Sequence, residues 1–376
     1  VTRFDASVGR HVAPTLATLV ILVSCSTASG PSTGSSNVPN PSASASPSTV
    51  PSAATATDAG STGPTPRAAV LAWSRLDASG PAAREDHTLT LDADGTRAYL
   101  FGGRDGETVY ADLWAYDLEQ DAWAEATPPS APPARFGHEA AWIDGIGLVI
   151  FAGQAGTTFF NDLWAYDPAA NSWTELPAGG SVPVARYGTC SAVGPDGRLW
   201  ISHGFTSDGV RFSDTRAYDF TRGTWSDLTP SGERPVERCL HTCWLTDAGE
   251  LALYAGQTTG VPALGDRWVL RDDGWKRVDG SLPPERNLPA HVRLDGATLI
   301  FGGTALDLAL QDDLWVLRDD VPDASRLTPA GPGPSGRAGA SLLLDAARAR
   351  VLLFGGRTGA GASNETWSLS GLDPAP

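Results

Sequence analysis

Six arginines recur along the chain at near-regular intervals: Arg84, Arg135, Arg186, Arg238, Arg286 and Arg337. Three of them are followed three residues later by a histidine (His87, His138, His241), and an aspartate recurs downstream of five (Asp112, Asp162, Asp214, Asp266, Asp313). A row of free arginines would bind anions. Arginines that return together with a matching aspartate make ion pairs instead, and a feature present in every copy of a repeat serves the scaffold. The pairs are therefore expected to tie each repeat to its neighbour, and the histidines to pack and hydrogen-bond, not to hold a metal.

The residue directly after each of six glycine motifs varies instead: Arg104, Gln154, Phe205, Gln257, Thr304 and Arg357. Long hydrogen-bonding side chains at loop entrances on a rigid frame suit a polar or anionic ligand. Arg104, Gln154, Gln257 and Arg357 are the candidate ligand-binding residues of this set. Several Asp-Gly pairs resemble calcium loops, but nothing near them supplies the six or more oxygens that ion takes. They read as hairpin turns. No paired carboxylates, nucleophile with its base, or phosphate loop stands in a supporting context. No catalytic residue, metal site or cofactor is expected.

The elements that position these residues follow from repetition. "ADLWAYDLEQDAW" at 111–123 returns as "NDLWAYDPAANSW" at 161–173. A tryptophan with an apolar residue three places on stands at Trp73, Trp123, Trp173, Trp225 and Trp275, and Ala324 takes that place in a sixth copy. Each copy then carries a Pro-rich turn, the arginine, a small-residue stretch, a hydrophobic run into the glycine motif (such as "LFGG" at 100–103) and a "DLW" strand. "HEAAWI", Asp144-Gly145 and "LVIFAG" make two short strands around a hairpin turn. "DLWAYD" and "SWTEL" alternate at period two, giving two more.

A period near fifty with this glycine motif resembles the kelch repeat, over roughly residues 70 to 370. The resemblance implies an all-β, six-bladed β-propeller with four antiparallel strands per blade. The lone opening strand "AWSRL" (72–76) and the closing strand "ETWSL" (365–369) are expected to complete one blade together and shut the ring. Kelch domains use loops at one end of the ring for binding, which places the variable residues at that mouth.

The third copy departs most: "WISHGF" replaces the glycine motif, Thr189 the histidine and Arg216 the "DLW" tryptophan. His203, Arg211 and Arg216 mark either a functional sector or a decayed repeat. Cys239, His241 and Cys243 alternate on one strand, where the two thiols stand about 13 Å apart, too far to bridge. Cys190 has opposite parity and so faces them across a blade interface. A Cys190–Cys243 disulfide is favoured over Cys190–Cys239, and over a Cys-x-His-x-Cys metal site, which lacks zinc-ligand spacing.

The first residues read as an export signal over 1–24. Arg3 and Arg10 precede an uncharged, largely apolar run from Val12 to Val23, too short for a membrane span of about 20 residues. It ends in "LVSC", which resembles the bacterial lipobox and implies lipidation of Cys25. From there to residue 69 the chain is rich in Ser, Pro, Ala and Thr with almost no large apolar residue, a disordered tether. Extended, it would reach roughly 130 Å. Without residues 1–24 the chain carries 25 basic and 42 acidic residues, net −17, which argues against nucleic acid as a partner. The lipobox resemblance implies a membrane-anchored bacterial lipoprotein facing the cell exterior and touching the membrane only through its lipid, and a monomer is expected. Residues 70–376 are expected to form its propeller, a binding or scaffolding module for a protein, glycan or small polar ligand. The alternative, a carbohydrate-active enzyme, rests on the six-bladed kelch fold of a bacterial sialic acid mutarotase, an analogy of fold and not of site.

Overall fold

The structure, a computed structural model, describes residues 70–372. The expected signal segment, Cys25 and the tether lie outside the described residues. The repeat units are too short and too punctuated by Gly and Pro to run as helices, and they form antiparallel strands of mostly four or five residues. Among the described residues there is no α-helix, only two 3₁₀ turns, Ser207–Gly209 and Ala346–Arg348.

Each repeat forms one main four-stranded sheet whose strands pair in chain order; short two- and three-stranded ladders stand beside some of them, and sheet three adds Gly179–Gly180, parallel to Thr224–Asp227. Sheet one consists of Thr88–Leu91, Arg97–Phe101, Leu113–Asp117 and Ala122–Ala126. Its register sets Leu89 opposite Leu100, Leu100 opposite Trp114, and Tyr116 opposite Trp123. Sheet two begins at Glu139–Ile143, sheet three at Cys190–Val193, sheet four at Thr242–Leu245 and sheet five at Ala290–Leu294. Sheet six takes Ser341–Asp345, Arg350–Phe354 and Thr366–Ser370, and its fourth strand, Ala72–Leu76, comes from the other end of the chain. The Asp-Gly turns join first and second strands. Gly95, Gly145 and Gly197 sit there at φ +66°, +77° and +73° with open space around them, so left-handed backbone, not crowding, selects glycine.

The core is divided into six apolar clusters, each between two successive sheets, including one between sheets six and one. The recurring tryptophan explains this. Trp173 packs on Phe101 of the preceding sheet (5.2 Å between ring centroids), Trp225 on Phe151 (4.8 Å), Trp73 on Phe301 (5.5 Å) and Trp123 on Phe354 of sheet six (5.0 Å). Burying such a ring removes roughly 150–250 Å² from water, on the order of 4–6 kcal/mol. Where the tryptophan is lost, Ala324 packs in the cluster that holds Tyr254.

Sheets are also joined by main chain. The second residue after each repeat arginine donates its N–H to the carbonyl of its counterpart in the preceding repeat. The bonds are Gly137 to Asp86 (2.8 Å), Gly188 to Gly137 (3.0 Å), Leu240 to Gly188 (2.9 Å), Leu288 to Leu240 (2.8 Å), Gly339 to Leu288 (3.2 Å) and Asp86 to Gly339 (2.9 Å). This belt returns to its starting residue. All six members have φ between +50° and +65°, although three are not glycine.

Candidate functional site

The repeat arginines come first, because they hold the strand ends that form the site. Each is buried. Arg135 donates through Nε to the Pro133 carbonyl (3.1 Å), through Nη1 to the Ala152 carbonyl (3.0 Å) and Asp162 Oδ1 (2.7 Å), and through Nη2 to Asp162 Oδ2 (2.9 Å). Arg84–Asp112, Arg186–Asp214, Arg238–Asp266 and Arg286–Asp313 repeat this fork, and Arg337 uses Glu365. Both partners belong to one repeat, so the expectation that these side chains tie neighbouring repeats together is corrected. The arginine main chain does that instead: Gly103 N–H donates to the Arg135 carbonyl, and Gly153 N–H to that of Arg186 (2.9 Å each). Burial would raise the Asp162 carboxyl, but the Arg135 bonds outweigh it and hold it below the usual range.

The third repeat's departures compensate one another. Ser202 stands where Phe101 stands in sheet one, and His203 where Gly102 does, so the large ring moves by one residue. His203 meets His241 at 5.4 Å, as Phe101 meets His138 at 5.4 Å, and lies 6.2 Å from Trp275. It is fully buried. His203 is therefore a core residue and does not line a rim. Arg216 fills the tryptophan's place: its Nε donates to Asp214 Oδ2 (3.0 Å), as Trp164 Nε1 donates to Asp162 Oδ2 (2.8 Å). It also pairs with Asp227 (3.2 Å), so it too serves the sheet. Thr189, in the histidine's place, donates to the Ser202 carbonyl (2.8 Å).

The remaining candidates gather at one end of the inner strands. The residue after each repeat arginine bridges to the residue after its glycine motif, as in Glu85 with Arg104, Phe136 with Gln154, Tyr187 with Phe205 and Cys239 with Gln257. One side of this rim is charged. Arg104 approaches Glu85 (3.4 Å) and Asp86 (3.2 Å) and covers the Phe136 ring at 4.3 Å, and Arg357 reaches Glu85 Oε2 (3.1 Å). The Tyr187 hydroxyl donates to Asp86 Oδ2 (3.4 Å). Burial pushes both carboxyls up, the charge of Asp86 adding to the effect on Glu85, and the two arginines offset only part of it. The two arginines are thus engaged by carboxylates and do not form a bare anion-binding rim. On the other side Arg211 lies over Phe205 (5.4 Å) and donates to Thr259 Oγ1 (3.0 Å), while Gln257 Nε2 is 3.6 Å from Cys239 Sγ. Gln154 turns back to the Gly156 carbonyl (2.7 Å).

Cys190 and Cys243 are joined by a disulfide with Cα atoms 5.7 Å apart, and Cys239 is a buried free thiol. The left-handed Leu240 interrupts the alternation between Cys239 and Cys243.

Below the rim, all six inner strands or their entry residues line a cavity of about 200 Å³. Asp86 and Glu139 are its acidic residues, and no Arg or Lys lines it. Glu139 is half-buried at the wall and accepts from Ser191 Oγ (3.0 Å); burial outweighs this bond and pushes its carboxyl up to about 8. Among the described residues no three His, Cys, Asp or Glu side chains are grouped to hold a metal ion. Glu85, Asp86, Tyr187 and Glu139 escaped the reading of the sequence. The available signal was the belt position, glycine in three repeats and Asp86, Leu240 and Leu288 in the others.

Comparison with known proteins bears on this architecture. The KLHDC2/KLHL20/DRC7 Kelch-repeats domain matches residues 67–256. A putative adagio-like protein 2 from Oryza sativa subsp. japonica is 28% identical over 334 residues, covering 80% of this chain and 51% of that protein. Adagio protein 3 of Arabidopsis thaliana is 27% identical over 325 residues, with the same coverage of each. A leucine-zipper-like transcriptional regulator 1 homolog from Drosophila melanogaster is 26% identical over 233 residues, 60% of this chain and 19% of that protein. The chain spans about half the length of the first two relatives.

Proposed function

The chain belongs to the kelch-repeat family, and from that premise we propose that its six sheets are the blades of a closed β-propeller that captures a partner at the Arg104–Arg357 mouth. Three features support closure: the pairing of Ala72–Leu76 with Thr366–Ser370, the apolar cluster between sheets six and one, and the belt that returns to Asp86. Kelch-repeat domains generally act in protein binding. One observation carries the choice of this end: its loops differ from copy to copy and expose aliphatic side chains, Val210, Val261, Leu306 and Leu308, the last at 65% exposure. Apolar side chains on variable loops of a rigid frame suit a protein surface.

On this reading the export segment and the "LVSC" motif place the module outside the cell as a lipid-anchored monomer, with Cys25 acylated and residues 26–69 as its tether. Fatty-acid labelling of the full chain, lost in Cys25→Ala, tests the anchor. For the mouth, the full chain is compared with a Leu306→Asp/Leu308→Asp variant in capturing proteins from an envelope extract, with a glycan array in parallel. The variant should lose captured protein at least tenfold with its melting temperature unchanged; equal capture removes the mouth from the proposal. A carbohydrate-active enzyme is the second reading, favoured only by the convergence of Glu85 and Asp86 with Arg104 and Arg357. Both Glu85 oxygens face arginines, which leaves that residue no free base. Absence of sugar anomer exchange by the full chain would dismiss it.

A further inference from the structure

We propose that the cavity beneath the mouth receives a primary ammonium group, with Asp86 as its counter-ion and Leu240 and Leu288 as the wall for its alkyl stem. This rests on the binding-module reading and gives the ligand of that mouth a chemical class.

The cavity's open valences include acceptors, and the unpartnered ring nitrogens of His87 and His241, both kept neutral by burial, offer one acceptor and one donor each. Asp86 is 6% exposed and Thr242 2% exposed; Asp86 Oδ1 and Thr242 Oγ1 are both buried without a hydrogen-bond partner, and both residues line the cavity. A buried carboxylate oxygen without a donor costs free energy until one arrives. No Arg or Lys lines the cavity, so an anionic group finds no counter-charge inside, whereas an ammonium supplies three donors. Arg104 engages Asp86 through Oδ2, which leaves Oδ1 lying over Gly339. Burial pushes the Asp86 carboxyl up despite Arg104 and Arg357, and an ammonium beside it would favour the ionised form.

The belt argues for the shape of the ligand. Asp86 and Leu240 are three hydrogen-bonded steps apart in either direction, hence opposite each other, and Leu288 is next to Leu240. These three are the belt members that keep a side chain at positive φ, a conformation that costs an L-residue on the order of 1–2 kcal/mol. Strain retained against glycine at three of six equivalent positions marks them for the side chains they carry. One carboxylate and two aliphatic residues on opposite sides of the belt, all lining the cavity, match an aminoalkyl chain. The cavity itself is wide enough for several waters at about 30 Å³ each.

The test is calorimetric titration of the full chain with Nα-acetyl-lysine methylamide, Nα-acetyl-norleucine methylamide and butylammonium. The lysine compound should saturate one site and bind at least tenfold more tightly than the norleucine compound, which has a similar stem but no charge. Asp86→Asn should remove at least tenfold of that affinity. The lysine–norleucine contrast is read on the unaltered chain, so it stands even if the variant does not fold. Equal binding by butylammonium assigns the pocket to free amines, and much weaker binding assigns it to lysine presented on a peptide. No preference for lysine over norleucine, or an unchanged affinity in a folded Asp86→Asn protein, overturns the proposal. Ammonium binding that persists when Leu306→Asp/Leu308→Asp fails to alter protein capture would remove only the loop surface.

Discussion

At the residue scale the repeated arginines show how a charge is kept inside an apolar fold. Each guanidinium is fully desolvated, and its donors are matched by a carboxylate and two carbonyls of its own repeat. Such a pair adds little over a well-packed apolar replacement, but removing one member strands the other charge. Asp162→Ala is therefore expected to destabilise the fold by about 3–5 kcal/mol, read as a fall in the denaturant midpoint. A change below about 0.5 kcal/mol, ordinary for surface substitutions, would mean that water reaches Arg135. The third repeat teaches the same lesson through substitution. His203 for a small residue beside Ser202 for an aromatic one, and Arg216 for an indole N–H, preserve ring packing and hydrogen bonding while changing every letter.

At the element scale the four-stranded sheet cannot stand alone, since both of its faces are apolar and each face is covered by a different neighbour. Sheet six depends further on a strand from the opposite end of the chain, paired over five residues from Ala72↔Ser370 to Leu76↔Thr366. Trp73 of that strand also packs on Phe301 of sheet five. Deleting residues 70–77 should then unfold the domain cooperatively, not only loosen one edge of sheet six. A truncated chain with an unchanged thermal midpoint would show that the strand is dispensable and would rule out the proposed closure.

At the scale of the whole molecule, buried titratable groups set a pH window. Burial holds His87 and His203 near 3 and His291 near 4, and lowers His138 and His241 well below 6.5. The unfolded chain therefore binds more protons than the folded one below about pH 6.5, and stability falls as pH drops from there toward 4. Glu139 acts in the opposite sense. Its folded value of about 8 lies above the ordinary 4.5, so its contribution is full at low pH and is lost as pH rises to about 8. Stability should peak near pH 6.5 in thermal unfolding from pH 4 to 9. Glu139→Gln should flatten the alkaline limb and leave the acid limb in place; an unaltered alkaline limb would show that the cavity solvates the Glu139 carboxylate.

The all-β class, the kelch repeat and the division of the chain into similar units were legible in the sequence, because periodicity and turn chemistry are local. Trp123 and Trp173 announce themselves by spacing, and Gly95 and Gly145 by the turn they permit. Which partner each repeated group meets is not local. Whether Arg135 reaches its own Asp162 or a neighbour's, whether His203 faces water or Trp275, and whether Arg104 is free or held by Asp86 depend on strand ends brought together from separate segments. The mouth was foreseen as a set of arginines and glutamines; its carboxylates were not, because Glu85 and Asp86 acquire their burial and their raised protonation only when six left-handed turns converge on one cavity.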